Sequence, residues 1–114
     1  IFVKGSNGMT KTENTNNLME EEDIWFKTNG LFYNPHMQLS RSISSLIVGS
    51  LDMKLNVIDG FSSTGIRGIR YLKENKNVKS LTFVDWSENA IQTTLENSKL
   101  NKLKNNKAIG VNSD

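Results

Sequence analysis

Two periods of hydrophobic and polar residues run through this chain. Leu39, Ile43, Leu46, Ile47 and Leu51 recur at helical spacing, and Ser, Arg and Gln dominate the opposite positions. That pattern predicts an amphipathic helix. A turn precedes it at Asn34-Pro35, because Pro35 keeps the residue before it out of the right-handed helical region. From Leu55 the pattern becomes regular. Leu55 to Ile58 reads as a short strand ending at Asp59-Gly60. Ile66, Ile69, Tyr71 and Leu72 predict a helix after the Gly65 turn. Val78 to Val84 gives a second strand, closed by Asp85. Ser87 is a natural helix N-cap, since its hydroxyl accepts from a free amide of the first turn. Ala90, Ile91, Thr94, Leu95, Leu100 and Leu103 continue that helix, and Lys107 to Val111 is a third strand ending in Asn112-Ser113-Asp114. Strand, helix, strand, helix, strand predicts an α/β fold, with a parallel sheet covered by helices and right-handed crossovers.

The first thirty residues read differently. Ile1 to Lys4 suits a short strand, and Ser6 to Asn17 is a polar loop. The acid run Glu20 to Asp23 reads as a solvated surface. Leu31-Phe32-Tyr33 is a short apolar run before the turn. The chain therefore divides into residues 1–30, a strand and polar loop, and residues 31–114, a partial ligand-binding α/β domain.

Composition narrows the classes. The 114 residues suit one domain, and a 36% hydrophobic fraction suits a globular one. A net charge of +2 is only a hint of an anionic partner. The chain has no cysteine, which removes disulfide frameworks and cysteine-based zinc sites; no metal site is expected. Apolar runs stay as short as Leu46-Ile47-Val48, far from the roughly 18 residues of a membrane span, and no signal peptide is visible. A cytoplasmic protein is expected, or a nuclear or mitochondrial one if the source is eukaryotic. The chain starts on Ile and stops directly after a strand, so it reads as part of a longer protein.

The chemistry gathers at the strand ends. In open parallel sheets, ligands bind outside the carboxyl ends of the strands. Asp59, Asp85 and Asp114 stand at three such ends, on one rim. Gly60-Phe61-Ser62-Ser63-Thr64-Gly65 follows the first strand and opens a helix whose free amides suit a carboxylate or phosphate. The plain alternative is a tight strand-to-helix turn. Asp85 can accept from both ribose hydroxyls of a nucleoside cofactor, or simply favour the next helix through its dipole. Asp114 can meet the exocyclic amine of adenine, or lie free on the surface. Arg67 sits at a helix N-terminus, where a cation is mildly unfavourable. A cofactor carboxylate would explain it, since guanidinium suits bidentate contact; so would pairing with Asp59 or Asp85.

These residues carry a resemblance. Phe32-Tyr33-Asn34-Pro35-His36-Met37, then Arg41, then Val57 to Arg70 with its Ser62-x-Thr64-Gly65-Ile66-Arg67-x-Ile69-Arg70 core, resembles the tRNA guanine-26 N2-dimethyltransferase family. So do Asp85-Trp86-Ser87, Asn97, Asn101 and Asn112-Ser113-Asp114. The resemblance implies the N-terminal half of a Rossmann-like class I methyltransferase fold. It also implies S-adenosyl-L-methionine as methyl donor and a guanine exocyclic amine in tRNA as acceptor. Carried onto this chain, Arg41 and Arg67 would contact the methionine part, Asp85 the ribose and Asp114 the adenine. Phe32 would wall the base pocket. The cofactor-binding candidates are thus Arg41, Asp59, Gly60, Ser62, Thr64, Gly65, Arg67, Asp85 and Asp114.

Two departures stand out. Ser40-Arg41-Ser42 replaces the family's common Asn-Arg-Asp, and losing that acid leaves the orientation of Arg41 open. Gly60-Phe61 stands where the family often has Ala or Leu. The family's catalytic acid lies in an Asp-Pro-Phe-like motif after a fourth strand, downstream of Asp114, so no residue here is assigned as general base. This chain supplies the cofactor-binding half and by itself is expected to be inactive.

The rival readings are another methyltransferase on the same fold, an NAD oxidoreductase and a non-catalytic RNA-binding remnant. A missing G-x-G-x-x-G argues against the oxidoreductase. Lys99, Lys102, Lys104 and Lys107 could touch RNA, or form an ordinary solvated helix end. Three parallel strands also leave an open sheet edge, which predicts a marginal or aggregation-prone isolated chain.

Overall fold

A computed structural model describes residues 18–111. The strand expected at Ile1 to Lys4, the loop at Ser6 to Asn17 and the closing Asp114 lie outside the described residues.

The regular half forms as its pattern predicts. Strands β3 (Leu55–Gly60), β4 (Val78–Asp85) and β5 (Asn106–Gly110) make a parallel sheet in that order. Helices α2 (Ile66–Glu74) and α3 (Glu88–Leu100) connect them. The Ser87 hydroxyl caps α3 by accepting from the Ala90 amide at 3.1 Å. Strand alternation sorts the side chains. Leu81 and Phe83 are buried beneath the helices, with Val57 and Ala108 packed against them. The alternate positions Ile58 and Ile109 face away and are exposed.

Two glycines let α2 settle. A Cβ on Gly68 would meet the Phe83 ring at 2.5 Å and Leu81 at 2.7 Å, so its absence brings helix and strand together. Gly65 has φ +87°, and a Cβ there would meet Thr94 at 3.1 Å.

The N-terminal segment departs from expectation. Residues 18–27 form an antiparallel hairpin, β1 (Leu18–Glu21) and β2 (Ile24–Lys27). Ile24 and Phe26 of β2 are fully buried and join Ile66, Ile69, Leu81 and Phe83 in one core. The acid run is not wholly solvated. Glu20, Glu22 and Asp23 are exposed, but Glu21 is 1% exposed. Strand alternation turns that one side chain inward.

Asn34 is extended and its side chain accepts from the His36 amide, starting a 3-10 turn at Pro35–Met37. Helix α1 (Gln38–Ser50) follows. Its orientation is the second departure. Arg41 and Ser45, on the polar side, are buried, whereas Leu39, Ile43, Leu46 and Ile47 are exposed. The polar side wins the inward position because its partners are there. Arg41 meets Glu21, and Ser45 donates to Glu74 at 2.7 Å. No helix among the described residues is long and apolar enough to cross a membrane.

Candidate functional site

The carboxyl end of β3 opens on a cleft of about 260 Å³. Phe32, Tyr33, Asn34, Met37 and Arg41 line one wall, and Asp59 through Thr64 with Ile66 and Arg67 line the other. Seven of the nine candidate cofactor residues, Arg41, Asp59, Gly60, Ser62, Thr64, Gly65 and Arg67, are thus in the cleft or, for Gly65, in the loop that bounds it. Phe32 is 80% exposed at its mouth. Asp85 is not in the cleft lining but bonds to the Ser63 amide of the loop, and Asp114 falls outside the described residues.

The loop after β3 is built by its own polar side chains. The Ser62 and Thr94 hydroxyls share a hydrogen bond, Thr94 Oγ1 donates to the Ser63 carbonyl, and Thr64 Oγ1 accepts from the Ile66 amide. Ser62 and Thr64 are buried, so their hydroxyls shape the loop. Phe61 and Ser63 hold φ of 60° and 51°, a left-handed conformation costly for non-glycine residues. A Cβ on Gly60 would meet nothing within 4 Å, so the backbone there is open to an approaching ligand.

Asp85 ties loop and strand together. Its Oδ2 accepts from the Ser63 amide and its Oδ1 from the Ser87 amide, each at 3.0 Å. Each carboxylate oxygen can accept more than one bond. Asp85 therefore fixes the rim and keeps acceptor capacity for a diol.

Asp59 is held differently. Its Oδ2 is buried and has no well-formed hydrogen bond among the described residues, with only the Gly68 backbone N–H beside it. Burial pushes its pKa up to about 6, against the lowering pull of Arg67 and the Gly68 backbone N–H, while Asp85 adds to the rise. Asp59 lines the cleft wall, where its carboxyl suits a ligand's donor group. Arg67 donates to Ser44 Oγ at 3.1 Å and forms no ion pair among the described residues. Its charge is available to the cleft.

Arg41 is the most constrained group. Its Nε and Nη2 donate to the Glu21 carboxylate at 2.8 and 2.6 Å, and Nη2 also reaches the Asn34 carbonyl at 3.1 Å. Its guanidinium carbon lies 4.9 Å from the Tyr33 ring centroid. Glu21 also accepts from the Tyr33 hydroxyl and from Arg70. Burial opposes its charged form, but the bonds from Arg41 and Tyr33, the Arg41 charge and the Arg70 bond together hold its pKa below the usual carboxylate range. Tyr33 is pushed the other way, by burial and by its bond to that anion. With Ser42 beside it, Arg41 takes its acid from the hairpin instead. The sequence reading missed Glu21, and the signal that marks it is the alternation of buried Ile24 and Phe26 around exposed Trp25, which makes the segment a strand.

The sequence model of one family, described as N2,N2-dimethylguanosine tRNA methyltransferase, matches residues 10–114. The chain belongs to that family. Among its relatives, the tRNA (guanine(26)-N(2))-dimethyltransferase of Methanobrevibacter smithii is 41% identical over 78 residues, covering 65% of this chain and 20% of that protein. The enzyme of the same name from Methanococcus aeolicus is 36% identical over 105 residues, covering 82% of this chain and 28% of that protein. The solved structure of Trm1 from Pyrococcus horikoshii with S-adenosyl-L-methionine superposes with a TM-score of 0.68 at 33% identity, covering 74% of this chain and 23% of that one. Trm5b from Pyrococcus abyssi, at 22% identity and a TM-score of 0.69, shares the fold. The chain of this dimethyltransferase family member thus spans 20% to 28% of these relatives' length.

The residues singled out in the sequence divide by position. Arg41, Asp59 and Arg67 converge on the cleft, whereas Asn97 and Asn101 are scaffold. Asn97 is fully buried; its side chain accepts from the Lys27 amide and donates to the Lys27 and Thr64 carbonyls. Asn101 donates to the Trp25 carbonyl. Together they seat β2 on α3. No group of three metal-ligating side chains gathers among the described residues.

Proposed function

We propose that this chain forms the cofactor-binding part of a tRNA (guanine-26 N2-) dimethyltransferase using S-adenosyl-L-methionine. The observation that carries the reading is the convergence of two guanidinium groups and a buried carboxyl on one cleft at the end of β3, within a chain of this family. The groups fit a zwitterionic amino acid end. Arg41 and Arg67 suit its carboxylate, and the Asp59 carboxylate suits its ammonium. Asp85 would hold the ribose diol and Asp114 the adenine amine, with Gly60 leaving room for the backbone to approach. Phe32, at the mouth, would wall the acceptor base. Such an enzyme works where tRNA is made or used, with the cytoplasm the simplest location.

When bound, the cofactor supplies an electrophilic methyl group on a sulfonium. A guanine amine is a weak nucleophile, because its lone pair is delocalised into the ring, so alignment is the larger demand. This chain's residues meet it by fixing the donor: Asp85 pins the loop, and Glu21 and Tyr33 pin Arg41. The proton leaving the amine needs an acceptor, and the family resemblance puts that acid in a motif after a fourth strand.

The test is methyl transfer from isotopically labelled cofactor to an unmodified tRNA transcript by the intact protein. Label is expected in the transcript with guanine 26 and not in one carrying adenine there. Equal labelling of both transcripts would instead favour another methyltransferase of this fold.

A further inference from the structure

We infer that Glu21 is a positioning residue of the cofactor cleft, acting through Arg41; this rests on the reading of Arg41 given above. The guanidinium carries three nitrogens. Two of them, Nε and Nη2, are engaged by Glu21 and the Asn34 carbonyl. Nη1 makes no hydrogen bond among the described residues, yet it is not one of the buried polar atoms left without a partner. Arg41 lines the cleft and is otherwise 6% exposed. Nη1 is therefore the nitrogen that opens on the cleft. Glu21 decides this, because gripping the Nε–Nη2 edge leaves the Nη1 corner as the free one. The Tyr33 ring holds the plane of the fork.

An unclamped arginine would be ordered only when the ligand arrives, and that entropy would be subtracted from the affinity. Here the ordering is done in advance by the fold. Glu21 is itself immobile. Its side chain is 0% exposed, on a strand, and bonded by the Tyr33 hydroxyl and by Arg70 Nη1 at 3.1 Å. Arg70 is balanced separately by Glu74 at 2.9 Å. So Arg70 and Tyr33 still satisfy the Glu21 carboxylate when Arg41 is replaced, which makes the pair separable by mutation.

The experiment is a double-mutant cycle in the intact protein: Glu21→Gln, Arg41→Met and both together. Affinity for S-adenosyl-L-methionine is read by titration calorimetry, and folding by far-UV circular dichroism and thermal midpoint. Each single substitution is expected to weaken affinity about tenfold, and the double to be no weaker than Arg41→Met alone, since contacting residues are not additive. At saturating cofactor the KM for tRNA is expected to stay unchanged, which a general loosening of the fold would not allow. If Arg41→Met leaves affinity intact, the reading of Arg41 falls and the inference with it. If Arg41→Met weakens binding while folded Glu21→Gln does not, or if the two losses multiply, the inference about Glu21 is overturned and that of Arg41 stands. Should Glu21→Gln fail to fold, Tyr33→Phe takes its place, removing one bond to the carboxylate and no charge. About threefold weaker binding, absent in the Arg41→Met background, supports the inference; unchanged binding overturns it.

Discussion

At the scale of single residues, Asp59 sets a stability against a function. Its carboxyl is ordinarily half-ionised near 3.8 but in the fold is raised to about 6, chiefly by burial. Below the lower value both folded and unfolded chains are protonated, and the site is neutral to stability. Between the two values the unfolded chain ionises first, so stability falls as pH rises. Above about 6 the full penalty is present, roughly 3 kcal/mol by proton linkage. Asp59→Asn is therefore expected to match the parent below pH 4 and to exceed it by up to about 3 kcal/mol at pH 7 in urea unfolding. The same variant is expected to bind S-adenosyl-L-methionine more weakly. A stability difference that does not vary with pH would remove the burial account. The position of Asp59 at a strand end was legible in the sequence. Its burial was not, because it depends on Gly68 letting α2 down onto the sheet; a Cβ there would meet Asp59 Oδ2 at 3.1 Å.

At the scale of elements, legibility followed the clarity of the period. The three parallel strands and the helices between them were readable from 2.0 and 3.6 spacing, with ends displaced by up to three residues, as where the last helix stops at Leu100 and not Leu103. The hairpin was hidden because four consecutive acids outweighed the short Ile24, Phe26 alternation. Helix α1 was found, but its inward face was inverted. An apolar stripe shows that a helix has two faces, and the side buried depends on partners remote in sequence, here Glu21 and Glu74. The seat of the hairpin makes a test at this scale. Asn97→Ala would strip partners from the Lys27 amide and from the Lys27 and Thr64 carbonyls. A loss of about 2–4 kcal/mol is expected in chemical denaturation, with Asn101→Ala costing less because it frees one carbonyl of β2. Equal stability of Asn97→Ala and parent would show that apolar packing of Ile24 and Phe26 alone holds the hairpin.

The molecule as a whole is unevenly covered. One face of the sheet carries helices. The other shows Ile58 at 72% exposure and Ile109 at 44%. Strand β3 has one neighbour, so its outer edge is unpaired among the described residues. Leu39, Leu46 and Ile47 add an apolar strip along α1. Parallel sheets are ordinarily covered on both faces, and open edges template association. The 114-residue chain alone is expected to self-associate with rising concentration in sedimentation velocity. Leu39→Gln with Leu46→Gln is expected to reduce that association and leave the circular dichroism unchanged. A monomer at all concentrations would mean the bare surfaces are innocuous. The open edge was foreseeable from three strands in sequence; the outward strip on α1 was not.

The asparagine seat of the hairpin also bears on how such a chain diverges. Asn97 and Asn101 grip β2 through the amide and carbonyls of Lys27 and the carbonyl of Trp25. Those groups are supplied by any residue at position 25, and by any but proline at 27. Mutational drift at the two outward positions can therefore proceed without unseating the strand, and a saturation library would find them permissive beside intolerant Ile24 and Phe26. Substitution counts along this segment would then reflect which way each side chain points, and would say nothing about whether the cleft has kept its function.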